Sequence, residues 1–158
     1  MAQPQCSSWC NRFLCRVPQC GGCGSEHGCA DNTPSGTNHF NFHFYATTMP
    51  WVLALAFCQA RGGSLATIDS RAKHTEALRI ANGAATWIGA NDRAREGTYS
   101  WAAGGTLPPT TRATTSYSDW NPGKPSGHRF GNEDCVCFNC NGHQAADDEP
   151  LTGWNDAP

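Results

Sequence analysis

The chain has 158 residues and a formal net charge of −2, with only 15% charged residues, so it has no general electrostatic pull toward nucleic acid or an anionic membrane. Hydrophobic residues reach 39%, including six Trp and seven Phe, enough for a real core and too many for a disordered chain. No apolar run is long enough to span a bilayer, and ten Cys point to an oxidising, extracellular or cell-surface compartment.

The cysteines crowd the amino terminus. Cys6, Cys10, Cys15, Cys20, Cys23 and Cys29 all fall within the first 29 residues, a stretch too short to bury a core unaided. Residues 1–30 are therefore expected to form a disulfide-stapled segment, and six Cys leave 15 pairings open. A zinc half-site at Cys20, Cys23 and His27 is the rival, without a second matching Cys-x-x-Cys. Met1-Ala2-Gln3-Pro4-Gln5 has none of the basic and apolar character of a secretory leader, which reads as a mature or excised piece. Small polar residues over 31–38 read as a linker, and 39–158 as the second unit.

That second unit begins with period-two alternation, which predicts a strand with Phe40, Phe42 and Phe44 on one face and His39 and His43 on the other. Pro50 suits a helix start, and the spacing predicts a helix over 51–61 with Trp51, Leu55 and Cys58 on its buried stripe. Gly62-Gly63 ends it, and Leu65 to Ile68 is extended. Asp69-Ser70 caps a second helix running to about Ala81, with Asn82-Gly83 as its stop. Short strands follow at Trp87-Ile88-Gly89, Tyr99-Ser100-Trp101, Cys135 to Phe138 and Gly153-Trp154, separated by long loops. The fold class is α+β, with no nucleotide-binding βαβ repeat.

Several pieces then stand in register. They are Trp51-x-x-Ala54-x-x-x-Cys58, Gly63-x-Leu65-Ala66-x-Ile68, Trp87-Ile88-Gly89, Glu96-Gly97 ahead of Trp101, Trp120, Gly131-Asn132-Glu133-Asp134-Cys135-Val136 and Gly153-Trp154-Asn155-Asp156. Together they resemble the C-type lectin-like domain over roughly residues 40 to 158. The resemblance implies two helices, small antiparallel sheets and a long loop region in which calcium, with its flexible shell of oxygen ligands, also takes sugar hydroxyls.

Carried over by position, the resemblance assigns Glu133, Asn155 and Asp156 to a primary calcium and sugar site. The family's carboxylate- or amide-bearing triplet is replaced here by Lys124-Pro125-Ser126, whose Pro implies a cis bond. An ammonium about 4 Å from a divalent ion is repelled by roughly 8 kcal/mol at an effective dielectric of 20. Lys124 can instead take the ion's place and donate to Glu133 and Asp156. An auxiliary calcium position would use Asp92, Glu96, Glu133 and Asp134, carboxylates that repel one another unless a cation sits among them. The resemblance also implies that Cys58 bonds a cysteine in a final strand and Cys135 one just after Asp156. The chain stops at Pro158, so both are expected to be orphaned and the strand beside Phe40 to Tyr45 to be missing.

Other chemistry finds little footing. No serine elbow, zinc-protease helix or phosphate-binding loop is present. Glu133 and Asp134 are adjacent and would point apart, which argues against a glycosidase pair. Cys135, Cys137, Cys140 and His143 have zinc-like spacing, with disulfide pairing such as Cys137 to Cys140 as the alternative. Trp120 and Trp154 read as core rather than sugar-stacking surface. The sequence points to a non-enzymatic recognition module for a glycan or glycoprotein, with calcium as its cofactor. The alternative is a metal-independent module for a protein ligand, with Lys124 replacing the ion.

Overall fold

The structure is a computed structural model that describes residues 12–16, 40–107, 117–126, 133–140 and 152–158. Its strands are β1 (Arg12–Arg16), β2 (Phe42–Tyr45), β3 (Ser64–Leu65), β4 (Thr86–Asn91), β5 (Ser100–Trp101), β6 (Cys135–Phe138) and β7 (Trp154–Ala157). Two helices interrupt them, α1 (Trp51–Gln59) and α2 (Arg71–Ala81). The strands form one sheet in the order β2-β1-β4-β6-β7, with β3 also paired to β1 and β5 to β4. All pairs are antiparallel except β1 with β4.

Alternation along the central strands divides the core in two. Phe13 and Cys15 of β1, Trp87 of β4 and Cys135 and Cys137 of β6 pack with Trp51, Ala54 and Cys58 of α1. Their sequence neighbours Leu14, Ile88, Val136 and Phe138 pack with Ala77 and Ala81 of α2 and with Trp101, Trp120 and Trp154. This is the side-chain period of a sheet buried on both faces. The helices form where the sequence places them. Pro50 precedes α1 with an extended backbone, and the Ser70 hydroxyl accepts from the Lys73 amide at the start of α2. Asn82 takes the left-handed conformation that stops α2. On α1 the buried residues are Trp51, Ala54 and Cys58, while Leu55 is half-buried. Gly89 lets β4 lie close against β3, since a Cβ there would lie 2.8 Å from the Leu65 carbonyl oxygen.

The largest departure from the sequence reading is β1. Cys15 was assigned to the amino-terminal stapled segment, yet Arg12–Arg16 lies inside the sheet, paired with β2 from Phe13↔Tyr45 to Arg16↔Phe42. The neighbour of β2 expected to be missing is thus supplied from the front of the chain. The reason is local: Phe13, Leu14 and Cys15 are apolar on both sides of the strand and all are fully buried, as a central position requires. Cys58 is correspondingly not an orphan. It bonds Cys15, with the Cα atoms 5.5 Å apart. Cys135 is also disulfide-bonded, to a partner outside the described residues. Cys137 bonds Cys140, which removes the zinc arrangement on that cluster. Cys6, Cys10, Cys20, Cys23, Cys29, His143 and the 31–38 linker lie outside the described residues.

Candidate ligand-binding site

Three short segments build the site: 119–126, residues 133–134 at the entry to β6, and 153–156 at β7. The first and third are tied by backbone bonds, from the Trp154 amide to the Asp119 carbonyl (2.7 Å) and from the Asn121 amide to the Trp154 carbonyl (3.0 Å). Asn121 adds side-chain bonds to the Gly153 carbonyl and to Asn155 Oδ1, both 3.1 Å. Gly153 is needed there, because a Cβ would collide with Asn121 Oδ1 and sit 2.7 Å from the Asp119 carbonyl oxygen. Trp120 and Trp154 are core, 8% and 0% exposed, with rings in edge contact.

The Lys124–Pro125 bond is cis. Lys124 Nζ lies 3.0 Å from Asp156 Oδ1 and 3.6 Å from Glu133 Oε2, and donates to Ser126 Oγ at 2.7 Å. The Ser126 hydroxyl donates to Glu133 Oε2 at 2.7 Å, and its amide donates to Asp156 Oδ2 at 2.7 Å. Asp156's side chain is fully buried and Glu133's nearly so. The ammonium therefore stands where the oxygens of Glu133, Ser126 and Asp156 converge. This donor set fits an ammonium, with N–O separations near 3 Å, rather than calcium, whose oxygens would close to about 2.3–2.6 Å. Asn155 joins the site through Asn121.

Beside it is a different arrangement. Ligand oxygens of Asp92, Glu96 and Asp134 lie within 4.8 Å of one another. Three of the four predicted auxiliary ligands thus come together, while the Glu133 carboxylate faces Lys124 and Ser126 instead. Asp92 Oδ2 accepts from the Gly97 amide at 2.8 Å, but Asp92 Oδ1 is buried with no hydrogen-bond partner. Burial, followed by the neighbouring Glu96 and Asp134 charges, pushes the Asp92 carboxyl up to about 6. Burial and then Glu96 raise Asp134 as well, against the pull of Arg93. Three clustered carboxylates, Asp92 and Asp134 buried and Glu96 exposed, with an unsatisfied oxygen on Asp92, are a donor set that suits a hard divalent cation. Burial, followed by the charges of Asp156, Asp92, Glu96 and Glu133, raises the nearby Tyr99 phenol well above its ordinary pKa.

Sequence reasoning missed His74. It is 3% exposed on α2 and contacts Tyr117, Asp119 and Thr152. It is the fourth residue of α2, among the charged Arg71, Lys73 and Glu76, so its surroundings in sequence read as a solvated face and gave no signal of burial.

Known proteins resemble the chain along this same stretch. Human C-type lectin domain family 10 member A is 30% identical over 119 residues, covering 73% of this chain and 32% of that protein. The galactose-specific lectin nattectin of Thalassophryne nattereri is 32% identical over 103 residues, covering 60% of each. The chain thus spans about a third of the first relative and under two thirds of the second. The cow C-type carbohydrate-recognition domain of CD23, solved in the presence of a GlcNAc2Man3 oligosaccharide, superposes with a TM-score of 0.52 at 28% identity over 68% of each chain. The model of the lectin C-type domain matches residues 47–156, which contain both helices and every residue of the site, and the chain belongs to the C-type lectin domain family.

Proposed function

We propose that the chain is an extracellular or cell-surface, non-enzymatic recognition module whose primary site is held by Lys124 in place of a calcium ion. The observation that carries this reading is the Lys124 ammonium, 3.0 Å from a fully buried Asp156 oxygen and bonded to Ser126. An ammonium in that position satisfies buried carboxylates but has no open coordination positions for a pair of sugar hydroxyls. The ligand, a protein or a glycoprotein, is then recognised by the surface of the long loop region. The auxiliary cluster of Asp92, Glu96 and Asp134 binds one calcium, which offsets most of its negative charge. Disulfides at Cys15–Cys58 and Cys137–Cys140 support an oxidising location, and among the described residues no helix is long and apolar enough to cross a membrane.

The second reading is calcium-dependent glycan binding through Glu133, Asn155 and Asp156. It is favoured by the meeting of Glu133 and Asp156 at Ser126 and by the oligosaccharide present with the CD23 neighbour. Calorimetric titration with calcium separates the two. One site, with no chelator-sensitive binding to a glycan array, supports the lysine-held module. Two sites, or glycan binding lost on chelation, overturns it. Lys124→Glu restores a carboxylate to the triplet and is expected to raise the stoichiometry from one calcium to two; an unchanged stoichiometry contradicts the electrostatic account of this loop.

A further inference from the structure

Away from the two acidic groups, one buried titratable residue joins a helix to Asp119, in one of the three segments that build the site, and to Thr152, which leads into another. His74 Nε2 lies 3.1 Å from the Thr152 carbonyl oxygen. Its Nδ1 faces two groups at once, Tyr117 Oη at 2.7 Å and Asp119 Oδ2 at 2.9 Å. The ring packs against Tyr117, Phe138 and Trp154, and Arg71 is the other charge that acts on it, from its own helix. A carbonyl can only accept, so Nε2 carries a proton in either state. A carboxylate can only accept as well, whereas the phenol can donate. Nδ1 is therefore served by Tyr117 when bare and by Asp119 when protonated.

We propose that His74 is a proton-operated latch, in which Nδ1 exchanges the Tyr117 hydroxyl for the Asp119 carboxylate and so shifts the 117–121 segment that carries Asn121. The path onward is short. Asp119 accepts from the Trp154 amide, Asn121 donates to the Trp154 carbonyl, and the Asn121 amide group holds Asn155. Burial draws the imidazole below its ordinary pKa while the Asp119 carboxylate pushes it back up, so the exchange takes place on acidification. Its effect on backbone position does not depend on what the site binds.

The test is an NMR pH titration of the intact protein, following the His74 ring and the amides of Asn121, Trp154 and Asn155. The latch requires a neutral ring in the Nε2–H tautomer and amide shifts that share the His74 midpoint. Asp119→Asn should lower that midpoint by about one pH unit, and Tyr117→Phe, which removes the donor to the neutral ring, should raise it. His74 failing to titrate, amides that ignore it, or variant midpoints that stay put would each overturn the latch. The wild-type titration stands alone even if a variant folds poorly.

Discussion

Two groups of buried acids lie side by side in this domain and are treated in opposite ways. Around Asp156 and Glu133 the chain supplies its own cation: Lys124 pairs with both carboxylates and donates to Ser126, whose hydroxyl and amide donate in turn to Glu133 and Asp156. Around Asp92 and Asp134 the Gly97 amide donates to Asp92 and Arg93 pulls on Asp134, while an Asp92 oxygen stays buried without a hydrogen bond. The two groups meet at consecutive residues, Glu133 and Asp134, whose side chains part to opposite sides. A tethered ammonium costs no binding entropy and never dissociates, but it fills the position. The acidic cluster has no tethered ammonium among its oxygens, and burial raises the pKa of Asp92 and Asp134.

The largest effect should follow from removing the tethered cation. Lys124→Met leaves the fully buried Asp156 side chain without its charge partner, and breaking a buried pair from one side costs about 3–5 kcal/mol. Denaturant unfolding in chelator measures it. Adding Asp156→Asn to the same chain should recover most of the loss, because the stranded charge is then gone. A loss under about 0.5 kcal/mol, the usual range for a surface substitution, would show that the two regions are not distinguished by charge.

Next in size is calcium itself. At a hundredfold excess over Kd, a ligand bound only by the folded state adds about 2.7 kcal/mol, and Asp92→Asn should abolish the response while Lys124→Met leaves it. The pH dependence has a definite sign. Asp92 titrates near 6, above the ordinary carboxyl value, so in chelator its contribution to stability is present at low pH and is lost as pH rises through about 6. Calcium competes with that proton. Its gain in melting temperature should be full above pH 6 and fade below it; a gain independent of pH would remove Asp92 from the site.

Sequence legibility differs between the same two regions and the sheet. Helix α2, from its Ser70 cap to its Asn82 stop, was readable because capping and left-handed termination are local chemistry. The cis Lys124–Pro125 bond and the gathering of Glu133, Lys124, Ser126 and Asp156 were readable only through family register, since these residues are far apart in sequence. Strand β1 was not readable at all. Its Phe13-Leu14-Cys15 core is three residues set among six cysteines, and cysteine crowding is a stronger composition signal than so short an apolar run. His74 escaped for a related reason. Its partners Tyr117, Asp119 and Thr152 lie 43 or more residues away, so nothing near it in the chain marks it as buried.

The smallest effect is the one that best locates the border between the two regions. Glu133 was expected to serve both, yet its carboxylate takes the Ser126 hydroxyl at 2.7 Å and faces Lys124 at 3.6 Å, while Asp92, Glu96 and Asp134 form the cluster without it. Glu133→Gln keeps the shape and an accepting oxygen, so it should cost only about 1 kcal/mol, the worth of a hydrogen bond weakened by loss of charge. Calcium affinity should change by less than about threefold, since 0.6 kcal/mol, roughly one RT, corresponds to that ratio. A tenfold or greater loss of calcium affinity would place the Glu133 carboxylate among the auxiliary ligands. The lysine-held region would then rest on Asp156 and Ser126 alone, and the border would run between Ser126 and Glu133 rather than between Glu133 and Asp134.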